Sequence, residues 1–243
     1  MTAMGGESER RSWPAVFAVA FAAGTALAGG ACGSGGSDEK TGGGPTTVAA
    51  LDRDRARATG IVLSPAEVPN LAPAGPPSHN RLYAQCGVNP LLPGGDDPRQ
   101  APAPGFFKDE TAEVKRAQTT AVASYAVLAP DEQVAKVVLA TLRAPEFRAC
   151  MERELRAVIN GAAGRQLVSG GSTADIAKPT VGNEVVAFRT TILSGEAVHQ
   201  TFDLTTVRKG RAVASVTTSR LGTSSFPDDE RIRLTRLVAG RIG

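Results

Sequence analysis

Three consecutive stretches decide the fold: Glu184–Leu193 (EVVAFRTTIL), Val198–Val207 (VHQTFDLTTV) and Arg211–Ser219 (RAVASVTTS). They are rich in Val, Thr, Ile and Phe, residues that suit a pleated surface, and turn formers bound them. Ser194-Gly195-Glu196 separates the first two. Arg208-Lys209-Gly210 separates the second and third, and Gly210 can supply the positive φ of a tight hairpin. The three therefore read as an antiparallel meander, with Arg165–Ile176 as a further strand ahead of it. The basic cluster at Arg208–Arg211 is read as a hairpin tip.

The chain before the meander carries helical periodicity. Pro130-Asp131-Glu132 opens a helix with negative charge in its first turn, which favours the helix dipole. Val134, Val137, Val138, Thr141 and Leu142 then recur at helical spacing. Ala144-Pro145 breaks the run and starts a second helix. Phe147, Cys150, Met151, Leu155 and Val158 line its apolar side until Asn160-Gly161 stops it. Cys150 thus points toward the core.

Further out, Glu113–Leu128 reads as a strand. Leu63-Ser64-Pro65-Ala66-Glu67-Val68 carries a capping box, with Ser64 as cap, Pro65 at the first helical position and Glu67 three after the cap. Pro69 limits that helix to about a turn. Pro227-Asp228-Asp229-Glu230 opens a last helix. Ile232, Leu234, Leu237, Val238 and Ile242 form its apolar side, and Arg231, Arg233 and Arg236 its polar one. The expected fold class is α+β, an antiparallel sheet of about four to five strands packed by helices. Residues 60–243 have the size of a single domain.

From Ala72 to Gly105 the chain is crowded with Pro and Gly, and loops of such length usually carry function or are pinned down. Cys86 lies inside this loop. A disulfide to Cys150 would pin it and close a long loop, a change worth about 4 kcal/mol in the chain-entropy model. One internal disulfide, Cys86 to Cys150, is the expected state of an exported chain; the competing readings are free buried thiols or metal ligands. A closed zinc site would need ligands that no nearby His supplies.

The N-terminal region reads as an export signal. Arg10 and Arg11 precede an uncharged, Ala/Phe/Val-rich run from Trp13 to Ala28, followed by Gly29, Gly30, Ala31 and Cys32. Residues 1–31 are expected to be a lipoprotein-type signal peptide and residues 32–59 a flexible Gly/Ser/Thr-rich tether. Leu27-Ala28-Gly29-Gly30-Ala31-Cys32 resembles a bacterial lipobox, with Gly29 where an aliphatic residue is usual. Three cysteines leave one unpaired outside the cell, and acylation of Cys32 would give it a chemical fate. The alternatives are cleavage after Ala28, giving a secreted protein, and a retained membrane span, which the many glycines oppose. Arg10-Arg11 also resembles a twin-arginine signal, which Glu9 and Pro14 fit poorly.

Composition limits the partners. The net charge is +3, and removal of two arginines and two glutamates with the leader leaves it unchanged. That charge is dispersed and aromatics are scarce, so no nucleic-acid partner is expected. His79 and His199 are isolated. Val168-Ser169-Gly170-Gly171-Ser172 lacks the leading glycine of a nucleophile elbow. Asp96-Asp97 offers too few oxygens for calcium. No H-E-x-x-H, phosphate loop or dinucleotide fingerprint occurs. The expectation is a protein without catalysis, cofactor or bound metal.

The Leu63–Val68 opening and Cys86 in the following loop resemble parts of extracytoplasmic sensor-like domains of actinobacterial lipoproteins and PknH-type kinases. So do the strand before an Ala/Val-rich helix, the Phe147-Arg148-Ala149-Cys150 segment, and Val181-Gly182-Asn183-Glu184 leading into the meander. The resemblance covers about residues 59–243. It implies a ligand-binding cleft between helices and sheet on the extracytoplasmic face of a membrane, held there by a lipid on Cys32. The partner would be an unknown small ligand or an envelope protein. A structural or assembly subunit of a cell-envelope complex is the alternative.

Overall fold

The computed structural model describes residues 47–74, 85–87, 105–109 and 120–243. Its centre is the expected meander. Strands β5 (Glu184–Ser194), β6 (Ala197–Lys209) and β7 (Ala212–Leu221) follow one another through two hairpins. Gly195 and Gly210 take φ of 61° and 58° at the two turns, where a side chain would be strained. A register shift at Ile192/Leu193 adds a bulge near the first turn.

The sheet is larger than the composition suggested. It has seven strands in the order β1-β2-β3-β7-β6-β5-β4, all antiparallel, in place of the four to five expected. β3 (Thr120–Leu128) pairs with β7, and β4 (Gly170–Asp175) is an edge strand on β5. The additional strands are β1 (Ala72–Pro73) and β2 (Gly105–Lys108), which stand at the two ends of the Pro/Gly-rich stretch. Both are too short for any alternation to show. Residues 113–119 of the expected strand lie outside the described residues.

Two helices cover each face of this sheet. On one face lie α2 (Glu132–Arg143), over β5, β6 and β7, and α3 (Pro145–Ala163), over β4 and β5. On the other lie α1 (Val48–Ile61), over β3, and α4 (Asp228–Gly240), over β7 and β6. Each face has its own apolar core. Leu139, Leu142, Phe147, Met151, Phe188, Phe202 and Leu204 belong to the first. Ile61, Leu63, Val122, Leu128, Val216, Leu234 and Val238 belong to the second. With both faces covered, Ala212–Ser219 is buried at every position. β7 therefore has no solvent-exposed face over that span, and Ser215, Thr217, Thr218 and Ser219 are buried polar residues.

Helix boundaries follow local chemistry. The Oδ1 of Asp131 accepts from the Val134 amide at 2.8 Å and caps α2. Pro145 starts α3 at a position where its missing N–H costs nothing. Gly164, at φ 62°, ends it three residues beyond Gly161. The capping-box segment is a single 3-10 turn, Pro65–Glu67, in which Glu67 Oε2 accepts from the Ser64 amide at 2.8 Å.

Three side-chain expectations need correction. Val137 and Val158 are about half exposed, while Ala135, Leu139 and Ile159 face the core in their place. Arg231, expected on the polar side of the last helix, is fully buried. The segment expected as tether to residue 59 is helical from Val48 onward. Ala58 and Ile61 bury its inner face, and Arg211 pairs with Asp54 from the sheet side at 2.7 Å. Burial of one small and one large apolar side chain, with one ion pair, supplies what the composition alone did not promise.

Candidate functional site

Cys86 and Cys150 form a disulfide, with their Cα atoms 5.6 Å apart across a sequence separation of 64. Cys150 is buried on the inner side of α3, and Cys86 packs against the same core as a partly buried residue. The bridge holds the turn at residues 85–87 against α3. Arg153, one turn further along that helix, directs Nη2 to the Cys150 sulfur at 3.2 Å.

Beside the bridge, at the head of α3, an open cleft of about 350 Å³ is lined by Arg143, Pro145, Arg148, Ala149, Glu152 and Thr173. Its charges are held by the protein itself. Arg148 donates to Asp175 at 2.6 Å, and its guanidinium lies 5.5 Å from the centre of the Phe188 ring. Phe188 in turn meets Phe147 edge-on at 6.1 Å, so Arg148 is seated on the core beneath α3. Arg143 donates to Glu184 at 3.1 Å, and Arg156 lies 3.5 Å from Glu152. Thr173 and Thr190 share a hydrogen bond of 3.0 Å. These groups can recognise polar or charged surfaces; none is a nucleophile paired with a base.

The basic hairpin tip is more elaborate than expected. Arg208 is buried and donates to Glu184 at 2.7 Å, to Glu132 at 3.1 Å and to the Gly210 carbonyl at 2.9 Å. The hydrogen bond from Arg208, helped by Arg143 and opposed by partial burial, holds the Glu184 carboxyl below its ordinary value. The turn Val181–Glu184 locks onto the same tip. Gly182 takes φ 65°, and a Cβ there would sit 2.7 Å from the Arg208 carbonyl oxygen. Asn183 donates its amide to that oxygen at 2.7 Å and accepts from the Gly210 amide at 2.8 Å. Arg208 therefore staples α2, β5 and β6 together.

On the opposite face a buried charge cluster seats α4. Asp203 accepts from Arg189 at 2.6 and 2.7 Å. That bidentate hydrogen bond, against some burial, raises the Arg189 pKa further. Arg231 donates to Thr205 at 2.8 Å, to the Ala177 carbonyl at 2.6 Å and to Asp228 at 3.1 Å. Asp228, in the first turn of α4, also bridges Arg231 and Arg189. A signal for this cluster exists in the sequence. Arg231, Leu234, Thr235 and Val238 keep one helical face, and Asp203 lies two residues from Thr205 on one face of β6.

The remaining candidates are dispersed. His199 lies on β6, half-buried, and burial pushes its imidazole pKa down. Cys32, His79, Asp96 and Asp97 lie outside the described residues. Among the described residues no cluster of three or more His, Cys, Asp or Glu could hold a metal ion. Among them, too, no helix is long and apolar enough to cross a membrane.

No family model and no curated protein matches the chain. Among solved structures, the extracellular domain of PknH from Mycobacterium tuberculosis is similar at a TM-score of 0.38 and 10% identity, over 77% of this chain and 95% of that one. A likeness of that strength transfers neither a site residue nor a ligand.

Proposed function

We propose that the chain is an extracytoplasmic lipoprotein: residues 1–31 are removed, Cys32 carries the lipid, and the α+β domain binds a ligand or envelope partner without catalysis. One observation carries this reading. With Cys86 and Cys150 in a disulfide, Cys32 is left as the single odd sulfur, and it follows an apolar run and three small residues. Disulfides persist where the surroundings are oxidising, which favours an address outside the cytosol. Residues 33–46 would then link the lipidated Cys32 to the described domain.

Mass spectrometry of the mature N-terminus tests the address. A diacylglyceryl group on Cys32 is the expected result, and a chain beginning at Gly29 would reject it. For binding, the cleft at the head of α3 is the surface to probe. A thermal-shift screen against envelope lipids, glycans and peptides should yield a stabilising ligand whose effect is lost in Arg148→Ala. Hydrolytic turnover by the purified protein would overturn the non-catalytic reading.

A further inference from the structure

We propose that Cys86 is a thiol-exchange site: an external thiolate attacks its sulfur, and Cys150 is displaced as the leaving thiolate. The two halves of the bridge are built differently. Cys150 sits within a 19-residue helix, buried on the face that Phe147, Met151 and Leu155 press into the core. Displacement at sulfur needs room for the incoming group opposite the leaving sulfur, and burial against the core shields Cys150 from such an approach. Cys86 belongs to a short turn, is only partly buried, and has exposed Gln85 and Gly87 beside it. Access therefore favours attack on Cys86.

The leaving group points the same way. An Nη2–H of Arg153 donates to the Cys150 sulfur, so a charge developing there meets a cation already in place. Glu146 and Glu154 lie one turn to either side of Cys150 on α3. Glu154 takes the Nε edge of Arg153 at 3.0 Å, leaving Nη2 to the sulfur, and Glu146 is exposed to water. That donor stabilises a departing thiolate at Cys150, and no such donor to the Cys86 sulfur is seen among the described residues, which favours Cys150 as the leaving group.

The chemistry balances with a thiol as co-reactant. The incoming thiolate forms a bond to the Cys86 sulfur as the Cys86–Cys150 bond breaks, and the electron pair goes to Cys150. A monothiol stops at this mixed disulfide on Cys86. A dithiol continues: its second thiolate takes back the first sulfur, Cys86 leaves as thiolate, and the reagent is oxidised to its own disulfide. The thiol protons end on the two cysteines or in solvent. The assignment stands apart from the fate of Cys32.

Full-length chain carrying Cys32→Ser, exposed briefly to glutathione, quenched in acid, alkylated and mapped by peptide mass spectrometry, tests it. Glutathione should appear on Cys86 and the alkyl group on Cys150, with a preference of about tenfold. Glutathione on Cys150, or divided evenly, overturns the proposal. Arg153→Gln should slow the exchange roughly threefold, with Arg153→Lys close to the parent rate. A Gln variant as fast as the parent, or a Lys variant as slow as Gln, also overturns it.

Discussion

Arg231 is the largest fully buried side chain among the described residues, and a guanidinium without water must find every partner inside the protein. Thr205, Ala177 and Asp228 supply them, and Asp203 stands 3.9 Å away. Arg231→Met keeps most of the volume but leaves Thr205 and the Ala177 carbonyl without their donor, and Asp203 with a single cation. The expected loss is about 3–5 kcal/mol, read as a lower urea midpoint with an unchanged slope. Glu184 makes a pH-dependent contribution of known sign. Its folded pKa is depressed below the ordinary carboxylate value, chiefly by the hydrogen bond from Arg208. The stability it contributes is therefore full above that value and is lost as pH falls through the lower, folded one. Between roughly pH 5 and 3 the melting temperature should fall more steeply for the parent than for Glu184→Gln. Parallel slopes would show that Arg208 does not hold the carboxylate.

At the scale of elements, what could be read from sequence depended on whether a segment's partners were local. β5, β6 and β7 were legible to within a few residues because each hairpin carries its own turn glycine and β-forming run. The α2 and α3 starts were legible from Asp131 and Pro145. The inner face of α2 was partly misread, since Val137 and Val138 are equally apolar and only packing decides which is buried. The Cys86–Cys150 disulfide was the favoured reading of the two cysteines and is formed, although which side chains meet is a property of tertiary distance that a sequence shows only indirectly. The Arg208 and Arg231 networks were missed for the same reason: an arginine in a strand or helix reads as surface until its carboxylates arrive from elsewhere. α1 was missed because its sequence, VAALDRDRARATGI, has almost no amphipathic signal, and its anchors Ala58 and Asp54 meet residues far along the chain. Placing a charge at the first of these should release the helix alone. In Ala58→Asp, trypsin is expected to cut at Arg53, Arg55 and Arg57 at least about tenfold faster than in the parent, because exposed backbone that opens locally is cleaved without global unfolding. The β-sheet circular dichroism should be retained. Equal cleavage rates would mean that the helix is not held through Ala58.

For the whole molecule, the important fact is that one sheet carries two cores, and the disulfide belongs to only one of them. The core under α1 and α4 includes neither cysteine, whereas the core under α2 and α3 has Cys86 packed against it. Opening the bridge removes a closed loop of 64 residues, worth about 4 kcal/mol in the chain-entropy model. That loss should not fall evenly. β4 pairs with β5 alone, and α3 rests on β4 and β5, so this corner has few neighbours besides the bridge. β6 and β7 lie at the middle of the sheet, are covered on both faces, and keep Arg208, Asp203 and Arg231 as cross-links. In a Cys86→Ser, Cys150→Ser double variant, amide hydrogen exchange should therefore accelerate in α3 and β4 well before β6 and β7 respond. Reduction of the parent should reproduce the same pattern, since the two perturbations share only the missing bond. Uniform acceleration across all seven strands would mean that the cores on the two faces fold as one cooperative unit, with the bridge acting on the whole rather than on its corner.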